Sequence, residues 1–139
     1  MRFDYLKVPS FNHRPWKSRP MIQVRLFNMD RTIETPPILC LIDSGADNSI
    51  FDTRIGERLG LNVKSGQKQP FRGIAPESID GYFHRIKYQI VGDNNVYEME
   101  AAFMESLTAG ALLGQEGFFD HFTIKFERNK NKFEITPAR

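Results

Sequence analysis

The sequence has one cysteine, one tryptophan and three histidines among 139 residues. A lone Cys40 excludes an internal disulfide framework and any multi-cysteine zinc site. His13, His84 and His121 have no metal-ligand spacing, so neither a metal nor another cofactor is expected. No apolar run approaches the roughly 20 residues that cross a bilayer, and Met1-Arg2-Phe3-Asp4-Tyr5 lacks the apolar stretch of a secretory signal. A soluble chain of a reducing compartment, the cytoplasm, with no membrane partner is the expectation. A P-loop, a Gly-x-Gly-x-x-Gly dinucleotide fingerprint and a Gly-x-Ser-x-Gly nucleophile elbow are all missing.

What is present is a globular composition: 40% hydrophobic residues, 26% charged residues and twelve phenylalanines. The length fits one domain, with core enough to fold without staples. The net charge of +2 conceals an uneven distribution. Residues 1–20 set five basic side chains against Asp4, and residues 124–139 set five against Glu127 and Glu134, which leaves the middle acidic. No basic helical stripe or RNA-binding motif accompanies these ends, so they read as solvated charge and no nucleic-acid partner is expected.

Three prolines among polar residues make 1–20 read as an irregular N-terminal arm; the domain proper is placed at 21–139. From Met21 the pattern becomes short strands. Ile22, Val24 and Leu26 alternate with polar residues, as do Ile86, Tyr88 and Ile90, the period-2 signature of half-buried strands. The apolar run 37–42 reads as a strand buried on both faces. Residues 52–59 carry Ile55 and Leu59 on one helical face, with Gly60 placed as a C-terminal cap. Gly92-Asp93-Asn94-Asn95 marks a hairpin turn into a strand over 96–103. A second short helix is expected over 115–122, where Phe118, Phe119 and Phe122 supply core, and strands at 123–126 and 133–135 pair around a polar turn. The chain is expected to be all-β, a small closed barrel with one or two short helices.

Chemistry concentrates in Leu41-Ile42-Asp43-Ser44-Gly45-Ala46-Asp47. Asp-Ser-Gly is also a common surface turn. Here, however, the carboxylate follows an apolar strand, where burying a lone charge is costly unless it is paired, hydrogen-bonded or protonated. A second segment, Gly110-Ala111-Leu112-Leu113-Gly114-Gln115, reads alone as tightly packed core. Cys40 adjoins the acid, but its apolar neighbours mark an inert thiol rather than a nucleophile. Trp16 is either an anchor onto the barrel or a partner contact.

Taken in order, the Leu41–Ala46 block, a glycine-containing segment over 72–82 and Ala111-Leu112-Leu113-Gly114 resemble the retropepsin-like family of single-domain aspartic proteases, which includes the retroviral enzymes. The resemblance spans about 21–126. It implies a closed retropepsin-like barrel in which Asp43 is the catalytic acid and Ser44, Gly45 and Ala46 complete the active-site loop. Ser44 then takes the position whose hydroxyl braces the loops across a dimer, and Gly45 turns its carbonyl to the substrate. Residues 72–82 become the flap, so that Gly73, Ile74 and Ala75, with Asp47 and Leu113, contact substrate. Retroviral members carry arginine after the Leu-Leu-Gly element, paired with the acid that follows the Asp-Ser/Thr-Gly-Ala block; Gln115 and Asp47 stand there, leaving at best a hydrogen bond. The candidate flap is also poorer in glycine than the retroviral one and contains Pro76.

Peptide hydrolysis by this route needs one carboxylate to take a proton from water and a second to protonate the scissile carbonyl oxygen. The chain carries one such Asp-Ser-Gly; Asp80-Gly81 lacks the hydroxyl residue. One chain thus supplies half a site, and a two-fold homodimer acting on a peptide or protein substrate supplies both halves. The second reading is a retropepsin-like module that binds peptide or dimerises without cleaving. Ala46, in place of a hydroxyl residue, removes a hydrogen bond to the ionised pair, so activity is expected to reach mildly acidic or neutral pH.

Overall fold

The computed structural model describes residues 1–10, 15–72, 77–105 and 110–138. In chain order these form β1 (Arg2–Asp4), β2 (Leu6–Pro9), β3 (Trp16–Arg19), β4 (Met21–Phe27), β5 (Ile38–Ile42), β6 (Ile50–Asp52), α1 (Thr53–Arg58), β7 (Gln67–Phe71), β8 (Ile79–Ile90), β9 (Tyr97–Met104), β10 (Ala111–Leu113), β11 (Phe122–Glu127) and β12 (Lys132–Pro137). The large sheet runs β4-β5-β10-β6-β9-β8-β7, and an added β4–β8 pairing closes six of its strands into a barrel. The fold is the expected all-β retropepsin-like barrel with very few helices. Among the described residues no helix is long and apolar enough to cross a membrane.

Alternation decides what the barrel encloses. Ile22, Val24 and Leu26 of β4, Ile86, Tyr88 and Ile90 of β8 and Met99, Ala101 and Phe103 of β9 are buried in one cluster. Each large side chain removed from water in this way contributes about 1.5–3 kcal/mol. Tyr88 keeps its hydroxyl satisfied inside the cluster by donating to the Gly117 carbonyl at 2.8 Å. Helix α1 is too short to persist alone. Asp52 caps it by accepting from the Arg54 amide at 2.9 Å, Gly60 closes it at φ +78°, and Leu59, 1% exposed, ties it to the core.

Three sequence expectations need correction. The described part of the N-terminal arm is not irregular: β1 pairs antiparallel with β12, and β2 pairs antiparallel with β3 in a separate two-stranded sheet. Phe3 and Tyr5 drive this ordering by packing on the Phe133 ring, at centroid distances of 5.3 and 5.7 Å. The strand at 38–42 is not buried on both faces, because Leu39 is 40% exposed. No helix forms over 115–122. Gly117 adopts φ +93°, a left-handed conformation that breaks a helix, and Phe119 and Asp120 donate five residues back, to Gly114 and Gln115.

Candidate active site

Asp43 leaves the end of β5 where that strand runs parallel to β10, with Ile42 opposite Leu113. Its amide donates to the Leu113 carbonyl at 2.9 Å, so the acid is placed by main chain on its N-terminal side. The chain then turns at once. The Ala46 amide donates to the Asp43 carbonyl at 3.2 Å, and the Gly45 amide donates to Asp43 Oδ1 at 2.9 Å. Gly45 suits this turn because a Cβ there would stand 3.3 Å from the same carboxylate oxygen. Asp43 is half-buried, while Ser44, Gly45 and Asp47 are exposed. The loop presents its acid to an open face.

The second motif holds this loop from behind. Gln115 donates from its amide to the Ala46 carbonyl at 2.8 Å, and Glu116 donates to the Asp47 carbonyl at 2.9 Å. The Gln115 side chain reaches the Ser44 carbonyl at 2.7 Å, whereas the family resemblance sets it opposite Asp47. Gly114 lies so close beneath the loop that a Cβ would collide with the Asn48 carbonyl and stand 2.6 Å from that of Ala46. Leu113, expected to touch substrate, is instead fully buried in the core. Its role is to position Asp43 through its carbonyl.

Ser49, which the sequence reading missed, completes the brace. It is 0% exposed, accepts from the Gly114 amide at 3.1 Å and donates to the Glu116 carbonyl at 2.9 Å. A single hydroxyl ahead of the apolar pair Ile50-Phe51 gave no periodic signal. Cys40 is buried and donates to the Ile38 carbonyl; burial alone pushes its thiol far above the ordinary range, which fits an inert side chain.

The segment read as a flap begins and ends in a hairpin. β7 pairs antiparallel with the start of β8, Phe71 opposite Ile79, and Phe71 packs 6.0 Å from the Phe83 ring. Gly73, Ile74 and Ala75 lie outside the described residues. Between this hairpin and the Asp43 loop opens a polar cleft of about 400 Å³, lined in part by Asp47, Asn48, Gln67, Phe83, Glu100 and Glu116. A larger cleft of about 490 Å³, between Arg85 and His121, is lined by none of the loop residues 43–47.

The Asp43 turn, braced from behind by Leu113 and Gly114 in a closed barrel, is the arrangement that the resemblance to single-domain aspartic proteases implies. A model of the aspartyl protease family matches residues 29–116, well over half of the chain and inclusive of both motifs. The chain belongs to the aspartyl protease family. No curated protein sequence matches it significantly. Among solved structures it is similar to a retropepsin-like aspartic protease from Rickettsia conorii, with a TM-score of 0.60 and 12% identity over 98% of each chain. It is also similar to the retroviral protease-like domain of Ddi1 from Leishmania major, with a TM-score of 0.54 and 19% identity over 83% of this chain and 87% of that one. At these identities the likeness is one of fold.

Proposed function

We propose that the chain is an aspartic endopeptidase that works as a two-fold homodimer, with water activated between Asp43 and its symmetry mate. The observation that carries this reading is the placement of Asp43: an acid directly after a barrel strand that runs parallel to β10, its carboxylate oriented by the Gly45 amide, in the one Asp-Ser-Gly of the chain. Two carboxylates brought within hydrogen-bond reach share one proton and titrate as a pair, as aspartic protease dyads in general do. The ionised member takes a proton from water as it attacks the scissile carbonyl, and the protonated member donates to the developing oxyanion. The β7–β8 hairpin and the cleft beside Asp47 then hold an extended peptide by main-chain hydrogen bonds.

Asp43→Asn tests the reading. Asparagine keeps the acceptor that Gly45 uses and removes the titrating group. Cleavage of a peptide library is expected to fall at least about a hundredfold, with circular dichroism and oligomeric state unchanged. If the unaltered chain dimerises and binds peptide yet never cleaves, it is a binding module instead.

A further inference from the structure

We propose that the β2–β3 hairpin clasps the second subunit, with Trp16 docking onto a second copy of this chain. This rests on the dimeric reading above and adds the surface that makes the dimer. For Asp43 to meet its mate, the two-fold axis must pass beside it, and whatever is rooted there lies against the partner. The hairpin is rooted there. Pro20, which directly follows β3, accepts from the Ile42 amide at 2.9 Å, one residue before Asp43. At the other root the Tyr5 amide donates to Asn131 at 2.8 Å. Among the described residues β2 and β3 pair only with each other, and a lone two-stranded ribbon is marginal in water. It nevertheless exposes Trp16 at 56% and Leu6 at 39%. Tryptophan is among the residues that most often carry interface energy.

Charge fits the same occupant. The described hairpin strands carry Lys7, Lys17 and Arg19 and no carboxylate, whereas residues 21–123, which form the barrel, carry more acidic than basic side chains. A second copy therefore offers the opposite sign on its barrel. β1, by contrast, already pairs with β12 of its own chain.

Trp16 is the sole tryptophan, so its emission reports the hairpin directly. Sedimentation velocity and tryptophan emission are followed together over a concentration series of the full chain. The expected result is a blue shift that tracks dimer formation. Trp16→Ala should raise the dimer dissociation constant at least about tenfold with an unchanged circular dichroism spectrum. A dimer whose emission stays that of an exposed indole, or one that Trp16→Ala leaves equally tight, overturns the clasp and leaves the dimeric protease standing. A chain that is monomeric at every concentration overturns both. Should Trp16→Ala fail to fold, the emission series on the unaltered chain still decides.

Discussion

Two aspartates in this chain use the same local device for different ends. Asp43 is followed by Ser44-Gly45 and Asp52 by Thr53-Arg54. Each carboxylate accepts from the amide two residues on, at 2.9 Å in both cases. Asp43 directly follows β5 and Asp52 is the last residue of β6, both strands pair with β10, and the two acids sit at its opposite ends: Asp43 donates its amide to Leu113, Asp52 to Gly110. The difference lies in the third residue. Arg54 swings its guanidinium onto Asp52 Oδ1 at 3.1 Å and the chain continues as a helix. Glycine at the matching place brings no side chain, and the chain doubles back through Ala46 toward Asp43. An acid-hydroxyl pair at a strand end is thus only a turn device; the residue after the pair decides whether the acid gains a side-chain cation or is left without one.

The sharpest way to break this contrast is to give Asp43 the neighbour that Asp52 has. Gly45→Arg places a cation beside the proposed dyad, where opposite charge favours the ionised form and opposes a shared proton. Gly45 has no left-handed φ that would forbid a side chain. Loss of about a thousandfold in kcat/KM is expected, within the range that acid–base groups supply, with the fold retained. Peptide cleavage assayed across pH checks it; activity within tenfold of the unaltered enzyme would show that the glycine is not what leaves Asp43 available.

The brace behind the loop is the next target. At Gly114 an added methyl meets backbone carbonyls of residues 46 and 48 rather than a movable side chain. Gly81 offers the control, since its closest neighbour would be the Phe71 ring, which can turn aside. Gly114→Ala should therefore lose about 3 kcal/mol, the upper part of the overpacking range, and Gly81→Ala about 1 kcal/mol. Urea denaturation of both variants checks the order. Equal losses would mean that the 46–48 loop yields as easily as the Phe71 ring.

How much of the molecule is legible in its sequence depends on whether the signal is periodic. The β4 and β8 alternations lead directly to the barrel wall, and Gly60 ends α1 where its position indicates. The Asp43 loop and the Leu-Leu-Gly strand are recognisable because motif order survives where periodicity fails. Three features are not. Phe118, Phe119 and Phe122 mimic a helical face, yet Gly117 is held at positive φ against Met99 and Asp120 accepts its amide at 3.1 Å, so local capping chemistry wins over pattern. Strand β1 is three residues long and exists because Phe133, at the far end of the chain, offers a surface for Phe3. Ser49 is a tertiary partner of Gly114, and its role cannot be inferred from neighbours in the chain, whereas the burial of Leu113 agrees with the packed core that its segment reads as.

The smallest expected effect returns to Asp52. Burial raises its carboxyl, but the Arg54 amide and guanidinium outweigh that and hold it below the ordinary carboxylate range. A lowered folded value means the contribution is complete at neutral pH and is lost as pH falls through about 4 and below. Arg54 is largely exposed, so the ion pair itself adds little and the cap carries most of the effect. Asp52→Ala should cost about 1 kcal/mol near pH 7, while Asp52→Asn, which still caps, should cost only a few tenths. Thermal melts between pH 7 and 3 check this: the gap between Asp52→Ala and the unaltered chain should narrow toward acid. A gap that stays constant would mean that the carboxylate's charge is immaterial at Asp52, and that the two aspartates differ by neighbouring geometry alone.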